Sequence, residues 1–380
     1  MEIIKPGTQI DFMRYRTLCA AVSSILVVLS LVSLFFPGPN LGIDFAGGTE
    51  MQIQFTGGVS AAELRDALEA TGHPGADVIS VEGHPNEYMV RLEAVSALPE
   101  SEAQQLEAAI RSAVDGDLTE FRASPGGDKI SLRFDSPHDP ADIQSWLEGA
   151  GARVRGVNAF GSPEDHRYEA HLVGVADEIF AGLRDTLGDR VPDAPLSISW
   201  VGPKAGAQLR DAAVQALLYA IAFIMVYVAF RFDLRFAPGG IIALTHDIIV
   251  TLGVYVLVQR ELSLSTVAAL LTILGYSIND TIVVYDRIRE NMSRTKNKTL
   301  YELINLSTSQ MLSRTIITSG TTVVSVMAFF IWGTPVIQDL AFALVIGIGI
   351  GTYSSIFIAA PTTEWMDRRF FRRTPAAKAA

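Results

Sequence analysis

Gly275-Tyr276-Ser277-Ile278-Asn279-Asp280-Thr281-Ile282-Val283-Val284-Tyr285-Asp286-Arg287 closes an apolar run that begins near Leu262. The run is long enough to cross a bilayer as a helix, and the quoted stretch reads as its cytoplasmic-side part. Carboxylates inside hydrocarbon cost about 3 kcal/mol or more, and they generally face a bundle interior and mark an ion or proton path. The next apolar run opens with Ser313-Arg314-Thr315-Ile316-Ile317-Thr318-Ser319, at a comparable distance from the same membrane face. The expectation is that Asp280 and Arg314 pair within the membrane and respond to protons. Arginine keeps its proton, so the carboxylate is the titrating member, and protonating it would release the arginine. A static ion pair is the plainer reading of the same residues.

Polar stripes extend from both. Thr272 and Tyr276 precede Asp280 at helical spacing, and Thr318, Thr321, Thr322 and Ser325 follow Arg314 on one side of its helix. Tyr276, Asn279, Thr318 and Thr322 are the candidate supporting relay. Ser and Thr in membrane helices commonly bond their own backbone or join helices, so Thr318 and Ser325 read more readily as structural, and Asn279 as a packing residue. His246-Asp247, inside a neighbouring apolar run, forms a second proton-coupling candidate. Adjacent helical residues point in different directions, so no bond between these two is expected. His246 reads equally as a proton relay and as a neutral interhelical donor.

Further outward, the apolar pattern gives six spans: Thr17–Phe36, Ala212–Phe230, Gly239–Val258, Ser263–Tyr285, Thr315–Trp332 and Leu340–Ala360. Arg231 and Arg235, then Arg287, Arg289, Arg294, Lys296 and Lys298, then Arg368, Arg369, Arg372 and Arg373 all fall on one side. The positive-inside pattern makes that side cytoplasmic and places both ends there. Thr17–Phe36 reads as a retained helix, since its apolar stretch is too long for a signal peptide and no small-x-small cleavage site follows. The division is 1–16 cytoplasmic, 17–36 first span, 37–211 outer domain, 212–360 five-span bundle and 361–380 cytoplasmic tail. Between Asn291 and Leu312, Leu300, Leu303, Ile304 and Leu306 suit an interfacial helix or an ordinary connecting one.

The 380 residues are 49% apolar, and the net charge of −11 is unevenly spread. Residues 37–211 hold 13 Lys and Arg against 29 Asp and Glu, a balance of −16; the remainder holds 17 against 12, or +5. An acidic outer domain with basic membrane flanks argues against a nucleic-acid partner. Cys19 is the single cysteine, so no intrachain disulfide forms.

The outer domain repeats itself. Gly47 to Phe55 alternates polar and apolar residues as a half-buried strand does, and Ala61–Thr71 has helical spacing at Leu64, Ala67 and Leu68. At an offset of 79 residues the pattern returns in Gly126-Gly127, Leu132, Phe134, Ile143, Leu147 and Gly151, and Tyr88 and Leu92 have counterparts in Tyr168 and Leu172. Helices Ala103–Val114 and Glu178–Leu187 close each copy, with a last strand at Leu196–Val201. The expected fold is α+β, two tandem ferredoxin-like units at about 42–120 and 121–204. Gly42-Ile43-Asp44-Phe45-Ala46-Gly47-Gly48 enters the domain and Gly202-Pro203-Lys204-Ala205-Gly206 leaves it. Gly42, Asp44, Phe45, Gly47 and Gly48 therefore read as one side of a hinge, and Gly202, Pro203 and Gly206 as the other. Gly347, Gly349 and Gly351 suit tight helix contact. No metal cluster, nucleophile elbow or nucleotide fingerprint occurs, so neither enzyme nor cofactor is expected.

These residues together resemble the SecF family, membrane subunits of the bacterial SecD–SecF accessory complex, within the resistance-nodulation-division (RND) superfamily. The resemblance rests on Leu41–Gly48, Val201–Gly206, Arg231–Asp247, Gly275–Asn291 and Ser313–Thr322. It implies an RND-type six-helix bundle in the bacterial inner membrane with residues 37–211 periplasmic. It also implies that Asp280 and Arg314 match positions involved in proton conduction. The implied partners are SecD, which would supply a competing carboxylate, the SecYEG channel, SecA indirectly, the unfolded exported polypeptide and membrane lipid. The proton gradient takes the place of a cofactor. The outer domain departs from the family's usual single unit by its doubled length. Two other readings stand beside this one: a passive scaffold of the channel, and a half-exporter of a small amphiphile with an apolar cleft in its outer domain.

Overall fold

The computed structural model describes residues 9–81, 83–92, 98, 100–114, 116–124, 129–173, 175–232, 234–295 and 298–371. Lys5, Gly126, Gly127, Lys296, Arg372, Arg373 and the rest of the tail beyond Phe371 lie outside them. In chain order the chain forms α1 (Arg16–Ser33), β1 (Asn40–Leu41), α2 (Ile43–Ala46), β2 (Gly48–Gln54), α3 (Ala61–Ala70), β3 (Asp77–Ser80) and β4 (Glu87–Leu92). There follow α4 (Glu100–Ala113), β5 (Leu118–Ala123), β6 (Lys129–Phe134), α5 (Pro140–Gly149), β7 (Val154–Ala159), β8 (Arg167–Leu172), α6 (Val175–Leu187) and β9 (Ser197–Val201). The remainder is α7 (Pro203–Arg231), α8 (Ala237–Leu257), β10 (Glu261–Leu262), α9 (Leu264–Arg294), α10 (Leu300–Trp332), α11 (Pro335–Ser354) and α12 (Ala360–Met366). Two compact units result, Ile43–Arg210 and the pair Met1–Gly42 with Asp211–Ala380.

The Ile43–Arg210 unit contains two four-stranded antiparallel sheets, ordered β3-β4-β2-β9 and β5-β6-β8-β7. Each has the strand order of a ferredoxin-like unit. The repeat seen in the sequence is reproduced down to single bonds. Tyr88 Oη donates to Val59 O at 2.5 Å, and Tyr168 Oη to His138 O at 2.7 Å. Asn86 and His166, each two residues before its tyrosine, both take left-handed backbone at φ 62° and 45°.

What differs from the expected tandem is which segments complete each copy. α6 and β9, from the end of the second copy, finish the first sheet: Ile179, Phe180 and Leu183 share a core with Met51, Ile53 and Leu64. α4 and β5, from the end of the first copy, finish the second: Leu106 and Ile110 pack with Ile130, Leu132 and Ile143. The helices expected to close their own copies have exchanged places. The set β2-α3-β3-β4-α6-β9 is a complete unit, into which α4 through β8 is inserted. Matching backbone bonds fasten the exchanged ends, Thr56 N to Arg190 O at 2.9 Å and Asp135 N to Asp117 O at 3.0 Å. Beside the second, hydrogen bonds from Ser136 and from His138 hold the Asp117 carboxyl below the usual carboxylate range.

The other unit is an integral-membrane bundle. Among the described residues, six helical segments are long and apolar enough to cross a membrane: Phe12–Ser33, Pro203–Arg231, Ala237–Leu257, Leu264–Arg294, Leu300–Trp332 and Pro335–Phe371. Two limits move for physical reasons. α7 starts at Pro203, where the missing N–H costs nothing in a first turn. α10 is one helix from Leu300, so the amphipathic stretch expected as a separate interfacial or connecting helix is the start of the fifth span. A reciprocal cap between Thr299 and Glu302 sets that start. Its 33 residues extend about 50 Å, past an apolar layer of about 30 Å, and Leu300 and Ile304 pack with Met13.

Candidate functional site

The aspartates Asp247 and Asp280 are both buried among these helices. Asp247 on α8 has no exposed surface. Its Oδ1 lies 3.0 Å from Nδ1 of His246, and its Oδ2 accepts from Ser277 Oγ of α9 at 2.5 Å and Ser354 Oγ of α11 at 2.7 Å. The expectation that His246 and Asp247 do not bond is thereby corrected. Their Cα–Cβ bonds diverge, but a carboxylate one bond beyond Cβ can turn back to a neighbouring ring. Gly351 makes the approach of α11 possible, since a Cβ there would lie 3.0 Å from that of Ser277.

Asp280 on α9 is 5% exposed. Its Oδ2 accepts from Ser319 Oγ of α10 at 3.1 Å, and Thr352 Oγ1 of α11 donates to the same Ser319 hydroxyl at 2.9 Å. Arg314 is exposed on α10, and among the described residues no ion pair joins it to Asp280. The expected direct pair is absent because Arg314 and Ser319 project from different sides of their helix, and the side carrying Ser319 meets α9. Both carboxylates converge on the end of α11: Thr352 serves the Asp280 group, Ser354 serves Asp247, and Ser355, the next residue, meets Thr281 at 3.0 Å.

The supporting relay divides. Tyr276 Oη and Thr322 Oγ1 meet at 2.8 Å between α9 and α10. Thr318 donates to the carbonyls of Arg314 and Thr315 on its own helix, and Ser325 to that of Thr321. Asn279 is exposed. Of the glycine segments, Gly42 N donates to Leu262 O at 2.9 Å beside the parallel β1–β10 pair. Within the other unit, Gly47 (φ 80°) lies so close to α7 that a Cβ would come within 2.9 Å of Pro203 Cα, and a Cβ on Gly206 within 3.2 Å of Phe45 O. Asp44 is half-buried on α2 and Phe45 is buried, while Gly202 immediately precedes α7.

Ser277, Ser319, Thr352 and Ser354 were missed by the sequence reading. The signal available was Thr352-Tyr353-Ser354-Ser355, four hydroxyl-bearing residues in succession inside an apolar span. Among the described residues no group of three or more His, Cys, Asp or Glu is placed to hold a metal ion.

Residues 190–369 match the C-terminal family of SecD/SecF protein export membrane proteins, and residues 32–59 match the SecD/SecF GG motif. A protein translocase subunit SecF from Magnetococcus marinus is 36% identical over 379 residues, covering 100% of this chain and 99% of that one. Its counterpart from Desulfurispirillum indicum is 35% identical over 356 residues, 92% of this chain and 90% of the relative. The crystal structure of SecDF from Thermus thermophilus, titled a translocon-associated membrane protein, superposes with a TM-score of 0.63 at 30% identity. It covers 96% of this chain, which spans only 39% of that one.

Proposed function

The chain belongs to the SecF family of protein translocase subunits, and on that premise we propose that it joins a SecD partner to use the proton motive force in completing export of unfolded polypeptide through SecYEG, after SecA has driven the chain in. In this reading both termini are cytoplasmic, residues 37–211 are periplasmic in a bacterial inner membrane, and the proton gradient stands where an enzyme would have a cofactor. Each charge crossing is worth about 2.3 kcal/mol per 100 mV, so a few protons suffice to move a domain.

The observation that carries this reading is Asp280, a carboxylate among the apolar helices whose hydrogen-bond partners are the hydroxyls of Ser319 and Thr352 on two other helices. An ionised carboxyl only accepts hydrogen bonds, whereas a protonated one also donates. Gain or loss of one proton therefore rewrites the Asp280–Ser319–Thr352 contact among α9, α10 and α11. Arg314, on the same helix as Ser319, is the cation that competes for the ionised form when α10 shifts, and SecD supplies the opposing carboxylate. His246 and Asp247 form the second proton-coupling group beside it.

The test is gradient-dependent export in membranes carrying this chain with SecD, comparing the native protein with Asp280→Asn and Arg314→Met while measuring complex abundance. Both variants are expected to assemble and to lose the gradient-dependent fraction. Retained gradient dependence would make this contact structural and support the passive-scaffold reading instead. The half-exporter reading requires that a small amphiphile, rather than polypeptide, be moved in the same membranes.

A further inference from the structure

A cavity of about 790 Å³ lies within the membrane bundle between α1, α8 and the last helical segment. It lies apart from the Asp280 group and touches the Asp247 group only through His246, and its chemistry changes along its length. At one end Arg16 pairs with Glu364 at 2.9 Å, and Arg368 stands exposed beside them, for a net charge of +1 from these three. The walls at the other end are apolar, with Val27 and Val28 of α1 facing Ile249 of α8.

Between the two ends sits His246. Its Nδ1 is taken by Asp247, and its Nε2 is buried with no hydrogen-bond partner, in a residue only 6% exposed. Its depth follows from its neighbours. The ring lies 6.4 Å from that of Tyr353, whose hydroxyl bonds Ser23, about 10 Å along α1 from Arg16. A buried polar nitrogen left unpaired costs about 1–3 kcal/mol, so the cavity calls for an occupant with a hydrogen-bonding group at that depth.

We propose that this groove holds one net-anionic glycerophospholipid. Its phosphate lies against Arg368 and Arg16, an ester carbonyl accepts from His246 Nε2–H while a second proton is shared between Nδ1 and Asp247 Oδ1, and an acyl chain follows Val27, Val28 and Ile249. The order of basic end, single donor and apolar channel matches the order of phosphate, ester and chain in such a lipid. Water would satisfy the imidazole but would leave the apolar half of the groove unfilled. A fatty acid would fill the groove and give Arg368 a carboxylate, but it has no ester carbonyl to meet His246 Nε2. The proposal does not depend on proton coupling, because lipid binding is read without any gradient.

The experiment is native mass spectrometry of the full-length protein in mild detergent, titrated with phosphatidylglycerol, phosphatidylethanolamine or ether-linked phosphatidylglycerol. One phosphatidylglycerol is expected to bind with clear preference over phosphatidylethanolamine. The ether analogue, which lacks the carbonyl, should bind about fivefold more weakly. Arg368→Gln, a surface change, should weaken phosphatidylglycerol by a similar factor. Ile242→Trp, which fills the groove, should abolish the site, whereas Leu218→Trp on the exposed face of α7 should not. Equal binding of the two headgroups, of the ester and ether forms, or of native protein and Ile242→Trp would overturn the assignment.

Discussion

Asp247 and Asp280 are both aspartates buried in apolar helices, yet the bundle treats them differently. Asp247 has no exposed surface and accepts or shares hydrogen bonds with His246, Ser277 and Ser354, so three helices meet on one carboxylate. Asp280 is reached by fewer donors, the hydroxyls of Ser319, at the longer distance of 3.1 Å, and of Thr352. The first ties three helices together through several donors, and the second sits in a looser contact. Ionisable residues in membranes are expensive wherever they lie; the number of donors around them separates holding a structure from moving it.

The largest expected effect tests the junction. Asp247→Leu should cost about 3 kcal/mol, since it strands the hydroxyls of Ser277 and Ser354 and the imidazole together. Asp280→Leu should cost less than about 1 kcal/mol, in the range of ordinary interhelical hydrogen bonds in membranes. Reversible unfolding of both variants in the same detergent measures this, and equal losses would erase the distinction drawn here.

Single hydroxyls sharpen it. Ser354→Ala removes a donor to a fully buried carboxylate and should lower stability by about 1.5 kcal/mol. Ser319→Ala should lower it by about 0.6 kcal/mol while altering gradient-dependent export, measured beside the Asp280→Asn comparison. A larger stability loss for Ser319→Ala than for Ser354→Ala would reverse the roles. The smallest effect belongs to Thr318→Val, within about 0.5 kcal/mol of native and with export unchanged, because that hydroxyl bonds only its own helix. A loss of export there would return Thr318 to the relay.

How far the sequence could be read depended on which interactions each pattern fixes. The repeat was legible because alternation and helical spacing state which face of an element is buried, and Tyr88 and Tyr168 keep their places in both copies. The exchange of α4 with α6 was not. Both helices are amphipathic and the two sheets offer similar apolar faces, so neither helix states which sheet it covers. Asp280 was found because an acid in an apolar run is conspicuous. No direct ion pair with Arg314 forms, because the facing of α10 places Ser319, not Arg314, toward α9, although the Arg314 charge still acts on Asp280. Similarly, Ser354 lies 107 residues from the aspartate it serves, and no local pattern connects them.

By itself, the sequence determined the six spans, the acidic α+β domain, its internal repeat, the family, and the presence of acids among apolar helices. These follow from composition and from periods of two and 3.6 residues, which act within one element. Only the tertiary structure decided which copy each helix completes, that His246 bonds its neighbour, and that Asp280 meets a serine instead of an arginine. Those outcomes depend on how helices and strands from distant parts of the chain are rotated and paired, and that rotation is set by packing.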